Sequence, residues 1–175
     1  LRCNWVGNDL RWNVGTGKEP DFKRTRENCQ MSVMNDYLPV VQSVWNNGGL
    51  NYREEAFATL LRGPLSPVDP GRDEQTPAIL MVRLTVSNPT NHSDTSLIWL
   101  SGNKALNGLS KDGDFLMDQI GGKKYIRCYM PSLAKGIEKT DLLGDQEGIM
   151  RIIHRQIVLE PNTSQSLYFY FPFVG

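Results

Sequence analysis

Few residues in this chain have the chemistry to act on a substrate, and their spacing excludes most of them. Gly15-Thr16-Gly17-Lys18 has the composition of a phosphate loop, but that loop needs a glycine, four residues and then Gly-Lys-Ser/Thr between a strand and a helix. Glu19-Pro20 follows the lysine instead, so a glycine turn is expected. Asp112-Gly113-Asp114 with Asp118 gathers carboxylates as a calcium loop does. Leu116 and Lys123 nevertheless stand at the fifth and twelfth positions, where an EF-hand needs an oxygen ligand and a glutamate, so an Asx turn is expected. Glu54 and Glu55 are adjacent on a predicted strand and point to opposite faces, so they cannot flank one glycosidic bond. His92 and His154 stand in a turn and a strand, with no Gly-x-Ser-x-Gly elbow beside which either could act as a base. The three cysteines, Cys3, Cys29 and Cys128, are odd in number and lack C-x-x-C spacing, which argues against a disulfide framework and a zinc site. No catalytic residue, metal or cofactor is expected.

Aromatic residues are what remains. Strict alternation would place Tyr125, Arg127 and Tyr129 on one strand face opposite buried Ile126, Cys128 and Met130. Two phenols around a guanidinium would suit sugar stacking or protein docking. Trp5 and Trp12 are the other candidates for an exposed aromatic line.

Period-two alternation runs through most of the chain. Ala78, Leu80, Val82, Leu84 and Val86 form an alternating set, with Arg83, Thr85 and Ser87 opposite, up to the turn Asn88-Pro89-Thr90-Asn91, after which Thr95 to Ser101 is expected as the antiparallel neighbour. Leu38 to Trp45 and Leu50 to Leu61 flank Asn46-Asn47-Gly48-Gly49, whose residues tolerate positive φ, so a hairpin is predicted. A second hairpin is expected from Arg151 to Phe173, with Ile153, Ile157 and Leu159 before the turn, and Leu167, Phe169, Phe171 and Phe173 after it. Gly63 to Thr76 and Ala105 to Gly122 do not alternate, and Ser132 to Asp145 has room for one helical turn. About eight short strands without an amphipathic helical repeat predict an all-β, antiparallel two-sheet β-sandwich, supersandwich or jelly-roll-like, with little helix.

A length of 175 residues suits one domain, 1–175, expected to be part of a longer multidomain protein. Nineteen basic residues balance nineteen acidic ones, so no net field favours nucleic acid or an anionic membrane as partner. No apolar run approaches the roughly 20 residues needed to span a bilayer.

Taken in order, Leu38-Pro39-Val40-Val41-Gln42-Ser43-Val44-Trp45, the Asn/Gly turn and Gly49 to Thr59 resemble paired strands of a known family, as do Val82 to Asn88 and Leu159 to Phe173. The family is the N-terminal β-sandwich domains of bacterial glycoside hydrolases with an (α/α)6 six-hairpin catalytic barrel, and the likeness covers roughly two thirds of the chain. In that family the catalytic carboxylates lie in the helical barrel. The resemblance therefore implies a non-catalytic ancillary domain that packs on a C-terminal catalytic domain of the same chain, with oligosaccharide as a further partner. It leaves the compartment open between the bacterial cytoplasm and a secreted or periplasmic location. The rival expectations are an autonomous carbohydrate-binding or lectin-like module and an oligomerising structural sandwich.

Overall fold

In the computed structural model the described residues are 2–3, 10–18, 21–22, 27–36, 39–60, 77–102, 108–109, 114–131, 138–142 and 150–173. In chain order they form β1 (Arg2–Cys3), β2 (Leu10–Thr16), β3 (Cys29–Val33), a 3-10 turn (Met34–Asp36), β4 (Val41–Asn47), β5 (Leu50–Leu60), β6 (Ala78–Ser87) and β7 (Asp94–Gly102). There follow β8 (Gly108–Leu109), β9 (Phe115–Ile120), β10 (Lys123–Tyr129), β11 (Glu138–Leu142), β12 (Met150–Leu159) and β13 (Ser164–Phe173). A five-stranded sheet has the order β1-β2-β7-β12-β11, and an eight-stranded sheet the order β3-β4-β5-β6-β13-β10-β9-β8, every pairing antiparallel. The architecture is an all-β sandwich, as the alternation predicts.

The two sheets meet because each has one hydrocarbon face. Val14, Ile98, Leu100, Ile157 and Leu159 from the smaller sheet share one core with Trp45, Leu50, Tyr52, Val82, Leu84, Val86, Leu167, Phe169 and Phe171 from the larger. Polar clamps cross that core. The Tyr52 hydroxyl and Ser96 Oγ are 3.0 Å apart; Trp45 Nε1 donates to Thr16 Oγ1 at 3.2 Å, and Asn47 Nδ2 to the Thr16 carbonyl at 3.0 Å. These bonds satisfy groups that burial would otherwise leave unpaired. Thr16 is thus a buried cross-sheet acceptor, not part of a phosphate loop. A Cβ on neighbouring Gly15 would come within 2.8 Å of the Phe22 ring, so a larger residue there would have to displace that ring.

The hairpin predicted at Asn46–Gly49 is present: Asn47 pairs with Leu50 around Gly48 and Gly49, whose φ values of 62° and 84° suit the tight turn. Gly121 and Gly122, at 54° and 80°, close a second such hairpin between Ile120 and Lys123. Part of the expected non-alternating segment 105–122 is therefore strand, namely β8 and β9, and Asp118 lies in β9 rather than in a turn. Within the segment Ser132 to Asp145, Glu138–Leu142 is strand β11, and the residues expected to make a helical turn, 132–137, lie outside the described residues. Gly63 to Thr76, Asp112, Gly113 and Leu133 lie outside the described residues.

Two connections correct the expected neighbours. Thr95 to Ser101 does not pair with β6: β7 lies between β2 and β12, while β6 lies between β5 and β13. The segment Arg151 to Phe173 is not a hairpin either, because β12 belongs to the small sheet and β13 to the large one. Both connections cross the core, and they do so side by side. Strands with hydrocarbon on one face bury it as well by facing each other across a sandwich as by pairing in one sheet.

Asn88 holds the two crossings together. Its buried side chain donates to the carbonyls of His92 at 2.8 Å and Leu159 at 3.1 Å. Its Oδ1 accepts from Thr90 N at 3.0 Å and Thr90 Oγ1 at 2.7 Å, and its backbone N–H donates to Thr163 O at 2.9 Å. Asn162 takes positive φ, 56°, in the second crossing, a conformation asparagine tolerates better than most residues.

Candidate contact surface

The outer face of the eight-stranded sheet is built in rows that run across the strands. Phe115, Tyr129, Tyr170, Met81 and Phe57 stand directly opposite one another on β9, β10, β13, β6 and β5. Neighbouring strands lie about 4.8 Å apart, so this apolar row extends about 19 Å. The adjacent row is polar: Tyr168, Arg83, Glu55, Gln42 and Ser32 on β13, β6, β5, β4 and β3. An outer face left to water normally alternates to polar residues throughout. Here an apolar row interrupts it.

The polar row centres on Glu55, which is only 2 % exposed. Arg83 approaches Glu55 Oε2 through Nε at 2.6 Å and Nη2 at 2.5 Å, and Gln42 Nε2 donates to Oε1 at 3.0 Å. Hydrogen bonding to Glu55, with a smaller contribution from Tyr168, holds the Arg83 guanidinium above its ordinary pKa against the opposing effect of burial. Both carboxylate oxygens are engaged, so the group serves as a structural anion rather than a base. Glu54, as its position requires, has the other parity. Beside the pair is a concavity of about 300 Å³ lined by Met34, Val40, Phe57, Met81 and Tyr168.

The expected Tyr125–Arg127–Tyr129 platform is not formed. Ile126 pairs with Met117 and Cys128 with Leu116, so Arg127 is an extra residue in a β-bulge. Tyr125 is registered to position 118 and Tyr129 to Phe115, three steps apart on an unbroken strand, which places the two tyrosines on opposite faces. Ile126, expected inside, is 46 % exposed, whereas Arg127, expected outside, is 6 % exposed. Cys128 and Met130 are buried as expected, and burial pushes the Cys128 thiol far above its ordinary pKa, with a smaller lowering from a backbone hydrogen bond at Tyr170.

Arg127 remains close to Tyr125, its guanidinium carbon 5.7 Å from the ring centroid. Tyr129 joins the apolar row, where its ring stacks on Phe115 at 4.9 Å and lies 5.8 Å from Tyr170 on the other side. The Tyr129 ring therefore stands between two others. Trp12 is in β2, on the other sheet, and Trp5 lies outside the described residues.

Phe57, Met81, Phe115 and Arg83 are members of this surface that sequence reasoning passed over, and Glu55 was weighed only as half of a glycosidase pair. A signal existed for Phe57, which is apolar at the phase where its strand carries Arg53, Glu55 and Thr59, and a weaker one for Met81, which with Ile79 is apolar at the phase of Arg83 and Thr85. Among the described residues no group of three or more His, Cys, Asp or Glu is placed to hold a metal ion, and no helix is long and apolar enough to cross a membrane.

Fold and surface together define an antiparallel two-sheet β-sandwich with a cross-strand apolar row on the outside of its larger sheet. No family model matches the chain, and no curated protein matches it.

Proposed function

We propose that this domain is a non-catalytic β-sandwich of a carbohydrate-processing enzyme, which acts by packing the outer face of its eight-stranded sheet against a neighbouring catalytic domain. The observation that carries the docking part is the row Phe115–Tyr129–Tyr170–Met81–Phe57, apolar on a face that alternation leaves to polar residues. The resemblance of the ordered strand motifs supplies the enzyme class. Docking is favoured over sugar stacking because a pyranose needs an open ring face, and Tyr129 has a neighbouring ring on each side.

The deciding experiment compares amide hydrogen exchange in the chain alone with that in the full product of its gene. Protection at Tyr129, Tyr170 and Met81 is expected to rise roughly tenfold or more in the full product, as covering an inter-domain surface should produce. Unchanged exchange, or a gene product without a second domain, would overturn this reading. Oligosaccharide titration followed by NMR tests the lectin-like rival: shifts centred on Tyr125 would favour it.

A further inference from the structure

Resting on that docking reading, we propose that the concavity beside Arg83 is the anchor pocket of the contact, receiving from the partner an apolar side chain carried next to a carboxylate. The walls specify the apolar half. Met34, Val40, Phe57 and Met81, with Val82, Tyr168 and the ion pair, line an open concavity of about 300 Å³, room for one large side chain. Two of these residues are methionines, whose unbranched thioethers adjust to the shape of what enters.

The acidic half follows from the asymmetry of the ion pair at the pocket's edge. The Glu55 side chain is 3 % exposed and the Arg83 side chain 42 %. The carboxylate is sealed, with Arg83 on one oxygen and Gln42 on the other. The guanidinium spends Nε and Nη2 on a single oxygen of Glu55 and a further bond on the Tyr168 side chain, which leaves donors over from its five N–H groups. The pocket's charged rim therefore offers donors, and a partner completes it by bringing acceptor oxygens.

The surrounding face has the same sign. Arg53, on the same side of β5 as Glu55, is exposed, and so is Lys124, which shares Tyr129's side of β10 by register. Against Arg53, Arg83 and Lys124, Glu55 is the acidic residue of this face among the described side chains. A partner lysine would meet like charge, whereas a partner aspartate or glutamate meets a planar fork suited to carboxylates. An apolar anchor in a pocket with a charged group at its rim is also the arrangement that concentrates binding energy in interfaces.

Selection of random peptides displayed on phage against the immobilised chain tests this without knowledge of the partner. The expected consensus is a large apolar residue within one or two positions of Asp or Glu. Synthetic peptides of that consensus should lose roughly tenfold or more in affinity when the acid becomes lysine, and should shift the methyl signals of Met34 and Met81. The double variant Glu55→Gln/Arg83→Gln removes both charges without leaving one buried alone, and should abolish the preference for acid while keeping the fold. Absence of any consensus, a consensus without an acid, or binding indifferent to acid-to-lysine exchange would each overturn the anchor. Slowed exchange at Tyr129 and Tyr170 in the full gene product, together with any of those results, would remove the anchor and leave the docking face standing.

Discussion

Asn88 and Cys128 show how much of this fold rests on single side chains. Asn88 supplies both donors and acceptors where two crossings meet, and alanine there would leave buried carbonyls without partners. Asn88→Ala is expected to cost about 2–3 kcal/mol, read as a lower urea midpoint at unchanged slope. Asn162→Gly, which keeps a positive φ accessible, should leave the midpoint nearly unchanged.

Cys128 is fully buried, and its raised pKa keeps the folded-state thiol protonated. Above the ordinary thiol pKa of about 8.5 only the unfolded chain releases that proton, so the unfolded state binds fewer protons and stability must fall as pH rises. The slope from this residue approaches about 1.4 kcal/mol per pH unit. Denaturation series between neutral pH and pH 10 should show it, and Cys128→Ala should flatten it. In the native state Cys128 should resist alkylation until the chain unfolds. The ion pair offers another residue-scale test. Arg83→Ala strands Glu55 and should cost about 2–3 kcal/mol, less than the 3–5 of a fully buried pair because Arg83 is partly solvated. The double glutamine variant should cost less than that single change.

At the scale of elements, β13 divides core from contact face. Leu167, Phe169 and Phe171 are fully buried, while Tyr168 and Tyr170 lie on the outer side. Phe171→Ala should cost about 3–5 kcal/mol through the cavity it leaves. Tyr170→Ala should cost the isolated chain less, and equal losses in denaturant midpoint would mean that the outer face is packed as tightly as the core. In β10 the bulge supplies a different test. Since Ile126 already pairs with Met117 and Cys128 with Leu116, deleting Arg127 should leave both pairings intact and merely regularise the strand. Cross-strand NOEs between Ile126 and Met117 and between Tyr129 and Phe115 are expected to persist; a slipped register would disprove the assignment of Arg127 as the extra residue.

At the scale of the whole molecule, the side-by-side crossings make the two sheets one cooperative unit. β6 and β13 pair in one sheet, while the strands joined to them, β7 and β12, pair in the other. Neither sheet can open without disturbing the other, so tryptophan fluorescence and far-UV circular dichroism should report a single coincident unfolding transition. Pairings such as Ala78 with Phe173 join distant parts of the chain, and folding should be correspondingly slow, in milliseconds to seconds.

Alternation alone determined the all-β class, the inward faces of β6 and β13 and the Asn/Gly hairpin, because each depends on residues close in sequence. Period-two patterning reports which face of a strand is buried, and Gly48-Gly49 reports a turn that few other residues adopt. Which sheet a strand joins is a different kind of fact. The inward face of β12 or β7 is equally apolar whether its neighbour lies beside it or across the core, and a four-residue link such as 160–163 serves either arrangement. Only the three-dimensional packing, with Asn88 satisfying both corners, distinguishes a hairpin from a crossing. The Tyr125 platform failed for a related reason: one unpaired residue at Arg127 reverses the parity of everything before it, and a bulge is defined by the partner strand. The apolar row, too, exists only where five strands come into register. Its members are scattered from Phe57 to Tyr170, and the register that unites them comes from the tertiary fold.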